Sequence, residues 1–148
     1  MVGFLQENLE RLGFASEGVR TQVAVAVTEA LTNAMLHGNL EAGSVLRRED
    51  PAAYDCLVAE RQRQEPFRQR RVRIAAWENP ETVRYVIRDE GLGFDRSIAI
   101  DPTAPENVPL VTGRGLFLIR AFMDGVKHNE IGNEITLTRT CAPQERGG

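Results

Sequence analysis

The sequence predicts an α+β two-layer sandwich in which helices cover one face of a mixed, mainly antiparallel sheet. Two observations point there: helical patterns fill the first part of the chain, and two strand pairs with short connections follow. Strands joined by short turns pair antiparallel, and helices set apart from them form a separate layer. The chain has 148 residues, 42% hydrophobic and 26% charged, which suits one globular domain. We therefore expect a single domain over residues 1–148.

Helices are expected where hydrophobic residues recur at helical spacing next to a start or stop signal. Serine and aspartate are good N-caps, proline suits the first helical position, and glycine ends helices. The expected helices are Phe4–Leu12 before Gly13, a long one from Ser16 to about Leu36 before Gly38, a third from Asp50-Pro51 to Pro66, and Leu116–Met123.

Strands are expected where apolar and polar residues alternate beside turn residues. They are Arg71–Trp77 and Thr82–Arg88 around the Asn79-Pro80 turn, then Gly125–Asn129 and Glu134–Thr140 around the Gly132-Asn133 turn. The segment 91–113 is rich in glycine and proline and lacks periodicity, so we expect a functional loop or lid there. Residues 141–148 are expected to be a disordered tail.

Composition excludes several classes of function. The formal net charge of −3 argues against a dedicated nucleic-acid binder, and no apolar run is long enough to span a membrane. Cys56 and Cys141 follow no metal or redox spacing, which favours a reducing compartment. We expect a cytoplasmic protein.

A polar stripe lies on the second helix. Glu29, Asn33 and His37 follow at i, i+4 and i+8, which places them on one side of a helix. The sequence between Arg20 and Arg47 contains no Lys or Arg, although an exposed helix face usually carries several charges. From the stripe alone, a face lining a polar cavity and a modestly polar outer face are equally good interpretations.

Two glycine-bearing turns have features of a nucleotide site. Asp89-Glu90-Gly91-Leu92-Gly93 follows a strand directly, and an aspartate at a strand end can accept a hydrogen bond from an exocyclic amino group. Gly113-Arg114-Gly115-Leu116 precedes an apolar helix, where free N–H groups can hold phosphate oxygens and Arg114 can pair with them. Each segment alone also fits an ordinary turn or loop–helix junction.

In order and in context, these segments resemble the GHKL (Bergerat-fold) superfamily of ATP-binding domains. The segment 28–39 is similar to its N box, 89–94 to its first glycine box and 113–116 to its second. Within the superfamily the chain looks most like the bacterial anti-sigma-factor serine kinases. That likeness rests on Glu-Ala-Leu-Thr-Asn-Ala with His-Gly after it, on Pro105-Glu106-Asn107 in the lid, and on Gly115–Asp124.

The resemblance implies ATP and Mg²⁺ as cofactors and a role for each matched residue. Glu29 would be the general base, Asn33 would bind Mg²⁺, and Asp89 would recognise the adenine amino group. The purine pocket would be shaped by Gly91 and Gly93, and the phosphates would be held by Gly113, Arg114, Gly115 and Leu116. His37 is expected to be structural.

The implied activity is phosphorylation of a serine on an anti-sigma-antagonist-like protein by an anti-sigma-type regulator. The implied protein partners are that antagonist-like protein, a sigma factor, or both. Two alternatives stay open: the catalytic domain of a two-component histidine kinase, and a nucleotide-dependent binding module without catalysis. Phe4, Leu5 and Leu9 would either form a homodimer interface or pack on the chain's own core.

The sequence departs from the family in three places. Residues 45–71 form an apparent insertion that is rich in arginine, which is either a solvated face or a docking surface for an acidic partner. Asn133 and Glu134 stand where the family often has threonines near the adenine. The strand that the family has before the first helix is absent or very short, which favours a domain cut from, or fused in nature to, something longer.

Overall fold

A computed structural model describes residues 2–42, 49–91 and 113–141. The expected lid and the end of the tail therefore lie outside the described residues. The helices are α1 (Val2–Leu12), α2 (Glu17–Asn33), a π-helical turn (Ala34–Asn39), α3 (Pro51–Arg61), a 3₁₀ turn (Phe67–Gln69) and α4 (Gly113–Phe122). The strands are β1 (Arg73–Glu78), β2 (Thr82–Arg88), β3 (Gly125–His128) and β4 (Glu134–Thr140).

The sequence signals at the start of α2 act as predicted. Gly13 adopts a positive φ of 73° after α1, and the Ser16 hydroxyl accepts a hydrogen bond from the Val19 N–H at 3.3 Å.

The end of α2 differs from the prediction. It is α-helical only to Asn33 and continues as a π-helix, closed by an i, i+5 bond from the Leu40 N–H to the Met35 carbonyl at 3.0 Å. Such wide turns occur frequently at functional sites.

The third helix starts as predicted, because the Asp50 carboxylate accepts from the Ala53 N–H at 3.1 Å and Pro51 occupies the first turn. It ends at Arg61 rather than at Pro66. The next four residues, 62–65, are all exposed, so extending the helix would bury nothing and would gain no packing energy. Pro66 instead precedes the 3₁₀ turn.

The four strands form one sheet in the order β1-β2-β4-β3, and every described pair is antiparallel. The central pairing joins β2 to β4, with Tyr85 opposite Leu137 and Ile87 opposite Ile135. This confirms the α+β sandwich. A parallel pair, which a mixed sheet would contain, is not among the strands that the structure describes.

The core lies between the sheet and α1, α2 and α4. Val83, Tyr85 and Ile87 alternate inward along β2 and pack against buried residues of α2 such as Val27, with Leu137 beside them from β4. Phe4, Leu5 and Leu9 of the first helix were expected either to form a homodimer interface or to pack on the chain's own core. Leu5 and Leu9 are buried in this core, whereas Phe4 is 71% exposed.

The edge strand β1 is exposed along nearly its whole length. Its inward positions pair in register with the buried positions of β2, since Ile74 lies opposite Ile87 and Ala76 opposite Tyr85. Ile74 is nonetheless 39% exposed. At the end of the strand the Glu78 carboxylate accepts hydrogen bonds from Asn8 of α1 and from the Tyr85 hydroxyl, which ties the strand end to the helical layer.

Candidate functional site

Asp89 is the most constrained of the predicted site residues. It follows β2 directly and is 8% exposed. Its backbone N–H donates to the Asn133 carbonyl at 2.9 Å, and its Oδ1 accepts from the Gly91 N–H at 2.8 Å. Strand pairing and its own turn therefore fix both the backbone and the carboxylate.

The C-terminal end of the N-box helix lies against this carboxylate. A Cβ at Gly38 would overlap the carboxylate of Asp89, and a Cβ at Gly91 would overlap the Gly38 carbonyl. Gly38 does not have a positive φ, so lack of space rather than backbone conformation requires glycine there. Next to it, the buried Asn39 accepts the Glu90 N–H on its side-chain oxygen at 2.7 Å. The helix end and the first glycine box are thus in direct contact.

Burial raises the pKa of the Asp89 carboxyl above its ordinary value. The hydrogen bond from the Gly91 N–H and the charge of Arg70 act in the opposite direction but do not cancel the effect. A hydrogen-bond donor on a ligand would stabilise the ionised form of this buried carboxylate. The setting therefore favours binding of a ligand that offers such a donor.

Two arginines of the predicted insertion turn inward and cap the helix end. Arg61 donates to the Leu40 and Glu41 carbonyls at 2.7 and 2.6 Å. Arg70 donates to the Asn39 carbonyl at 2.8 Å and pairs with the Glu41 carboxylate. Cations suit the end of a helix, where carbonyls lack intrahelical partners. The sequence analysis interpreted the arginine-rich segment 45–71 either as a solvated face or as a docking surface for an acidic partner. Neither interpretation describes Arg61 and Arg70, whose side chains bind carbonyls of the same chain.

Asn133 is a site residue that the sequence analysis did not assign. It is 6% exposed, and its amide donates to the Asp89 carbonyl at 3.3 Å. Its side-chain oxygen accepts from Asn129 at 2.6 Å. The sequence analysis noted it only as a turn residue after Gly132, which has a positive φ of 82°, and as a departure from the family's threonines. Its burial depends on the β2–β4 pairing, which a local pattern does not reveal.

Glu29 and Asn33 lie earlier on the same helix and are half-buried. Glu29 lies one α-helical turn before Asn33, roughly 6 Å along the axis at about 1.5 Å of rise per residue. The π-helical turn Ala34–Asn39 then leads from Asn33 to Gly38 and the Asp89 carboxylate.

The predicted phosphate segment is at the start of α4. Gly113 is the first residue of that helix, Gly115 and Leu116 are buried, and α4 packs along α2. The first N–H groups of a helix have no intrahelical acceptor, so they are available to an anion. Gly93 and the side chain of Arg114 lie outside the described part of the chain.

Asn33, the residue predicted to bind Mg²⁺, is half-buried and carries an amide oxygen. Within residues 2–42, 49–91 and 113–141, no group of three His, Cys, Asp or Glu side chains is placed to hold a metal. Mg²⁺ usually keeps several waters and takes one or two protein ligands beside substrate phosphates. Asn33 can supply such a ligand.

The α+β fold is that expected for a GHKL-type ATPase domain. A model of the histidine kinase-like ATPase domain matches residues 1–139, and the chain belongs to that family. No curated protein matches the chain. None of the helices in the described ranges is long and apolar enough to cross a membrane.

Proposed function

We propose that the chain binds ATP with Mg²⁺ and transfers the γ-phosphate to a serine of an antagonist partner protein, as an anti-sigma-type regulator. The observation that carries the proposal is the close packing of Gly38 and Gly91 around the buried Asp89 carboxylate. That packing gives a fixed acceptor at the end of a helix whose preceding turns carry Asn33 and Glu29. Membership of the histidine kinase-like ATPase family supports ATP as the ligand.

Each proposed role uses the chemistry of its residue. Asp89 accepts the adenine amino group, with Gly91 and Gly93 beside the purine. The phosphates lie at the start of α4, on the N–H groups of Gly113, Arg114, Gly115 and Leu116 and the Arg114 charge.

At the reacting end, Asn33 ligates Mg²⁺, which neutralises phosphate charge when it is bound. Glu29 aligns the serine hydroxyl and accepts its proton. Positioning and charge neutralisation supply most of the catalysis of phosphoryl transfer, so one carboxylate is chemically sufficient as the base.

Nucleotide binding is tested by calorimetry with ATP, with and without Mg²⁺. The wild type should bind in a magnesium-dependent way, Asn33→Ala should lose the magnesium dependence, and Glu29→Gln should bind normally. Arg63→Met, at an exposed position of the insertion, is the matched control and should also bind normally. Absence of binding by the wild type would refute the proposal.

Phosphoryl transfer is tested separately with γ-labelled ATP and a purified anti-sigma-antagonist protein from the same organism. The expected product is phosphoserine on the antagonist, made by the wild type and not by Glu29→Gln. If the wild type and Glu29→Gln regulate the partner equally and neither makes phosphoserine, the chain is a nucleotide-dependent binding module. Label on a histidine of a partner would establish a histidine kinase.

A further inference from the structure

The arginine cap connects the predicted insertion to the site. Arg61 and Arg70 hold three successive carbonyls, those of Asn39, Leu40 and Glu41. The side chain of Arg70 is only 14% exposed where it pairs with Glu41. Both guanidinium groups also lie 5.0 Å from the ring centroid of Phe67, so one aromatic ring fixes the two cations relative to each other.

The segment that the two arginines hold is not in a relaxed conformation. Glu41 has a positive φ of 53°, which a residue with a Cβ rarely adopts and which persists only when its surroundings determine it. Here the surroundings are the Arg61 hydrogen bond to its carbonyl and the Arg70 contact with its carboxylate.

The same segment and the glycine before it contact the proposed nucleobase end of the site. Gly38 immediately precedes the segment and lies against the Asp89 carboxylate. Within the segment, the Asn39 side chain accepts a hydrogen bond from the Glu90 N–H. The insertion also reaches the glycine box directly, because the Arg71 N–H donates to the Glu90 carboxylate at 2.9 Å. Arg70 is close enough for its charge to act on Asp89.

We propose that Arg70 is a positioning residue that sets the discrimination of the site for the exocyclic amino group of adenine, by fixing residues 39–41 and, through Gly38, the Asp89 carboxylate. This inference rests on the proposed binding of ATP. Its mechanism needs no contact between Arg70 and the nucleotide. The insertion is then part of the nucleobase site.

The test compares affinities for ATP and for inosine triphosphate, which carries an oxygen in place of the amino group. We expect Arg70→Met to lower the ATP-to-ITP affinity ratio roughly ten-fold, mainly by lowering the affinity for ATP. The reason is that a misplaced Asp89 carboxylate loses one charge-assisted hydrogen bond to the adenine amino group. Arg70→Lys, which keeps the charge and one donor, should restore most of the ratio. Arg63→Met, an exposed arginine of the same segment, should leave it at the wild-type value.

A purely structural role would lower the melting temperature of Arg70→Met without changing the ratio, and an unchanged ratio in the folded variant overturns the inference. If Arg70→Met does not fold, Arg61→Met releases the other two carbonyls of the segment, those of Leu40 and Glu41, while leaving the Arg70 charge. A wild-type ratio in that variant would show that the conformation of residues 39–41 does not set the ratio, and would overturn the inference. Failure of the proposed function looks different, since the wild type itself would then bind no ATP, or would bind ATP and ITP equally.

Discussion

Gly38 offers the sharpest test of the proposed nucleobase site. Replacing it with alanine adds one methyl group, whose position would overlap Cγ and both carboxylate oxygens of Asp89. The backbone at Gly38 is not left-handed, so the substitution introduces no conformational strain of its own. The Asp89 carboxylate must rotate away and lose the hydrogen bond from the Gly91 N–H.

The energetic cost divides between stability and binding. Overpacking of this kind costs about 1–3 kcal/mol of folding free energy. The displaced carboxylate also forfeits a hydrogen bond to the ligand that is worth roughly 1.5–3 kcal/mol when one partner is charged. We therefore expect ATP affinity to fall roughly ten- to hundred-fold, at about 1.4 kcal/mol per factor of ten.

Gly18→Ala is the matched control within the N-box helix. The nearest atom to its added Cβ is the Ser16 hydroxyl oxygen at 3.9 Å, which is ordinary contact. Alanine is the better helix former, by about 0.5–1 kcal/mol in a helix interior, and Gly18 lies in the first turn of α2. This variant should therefore melt no lower than the wild type and bind ATP as the wild type does. Calorimetry and thermal unfolding measure both quantities. Wild-type ATP affinity in folded Gly38→Ala would refute the assigned geometry.

Further predictions concern Tyr85 and Asp89, two groups of the described residues whose pKa values are raised. Because burial raises the pKa of Asp89, the folded state holds the proton more tightly than the unfolded chain, and the ionised group costs stability at neutral pH. Asp89→Asn should therefore be at least as stable as the wild type at pH 7 by thermal unfolding, yet bind ATP far more weakly; a clear loss of stability would contradict this. In a calorimetric pH series, wild-type ATP affinity should fall on acidification at a pH above the 3.8 of an ordinary aspartate. Asp89→Asn has no carboxyl at this position, so its pH profile shows how much of the loss of affinity comes from titration of the ATP phosphates. An identical pH profile in the wild type and in Asp89→Asn would exclude Asp89 as the titrating group. Burial, with the Glu78 carboxylate, also raises the pKa of Tyr85, so its hydroxyl stays a donor at neutral pH. Tyr85→Phe should cost about 1.5 kcal/mol and lower the melting temperature by roughly 3–6 °C in a thermal scan, whereas an unchanged melting temperature would show that the hydrogen bond is energetically neutral.

Local signals in the sequence were sufficient for most of the fold. Capping by Ser16 and Asp50 confirms two predicted helix starts. In the first hairpin, the Asn79 side chain accepts from the N–H groups of Glu81 and Thr82, both at 2.8 Å, so the predicted turn closes as expected. Each of these contacts spans only two or three residues, which is why a pattern along the chain reveals them.

The site was predictable only where its residues carry such local patterns. Asp89 and Gly91 stand out because they end a strand in a glycine-bearing turn. Arg70, Asn39 and Asn133 could not be assigned, since their roles depend on contacts across 31 residues from Arg70 to Asn39 and 44 from Asn133 to Asp89. Periodicity contains no information about such distances. The roles in nucleotide binding and catalysis stay predictions for every assigned residue: Glu29, Asn33, Asp89, Gly91, Gly93, Gly113, Arg114, Gly115 and Leu116.

The pairing of β2 with β4 also has a consequence for synthesis of the protein. Asp89 is held by Asn133, and β2 acquires its second neighbour only when residues 134–140 are available. A growing chain on the ribosome will therefore have made the N box, the arginine cap and the first glycine box long before the nucleobase end of the site can form. If the chain binds ATP as proposed, we expect nucleotide to stabilise the domain only after β4 has paired with β2.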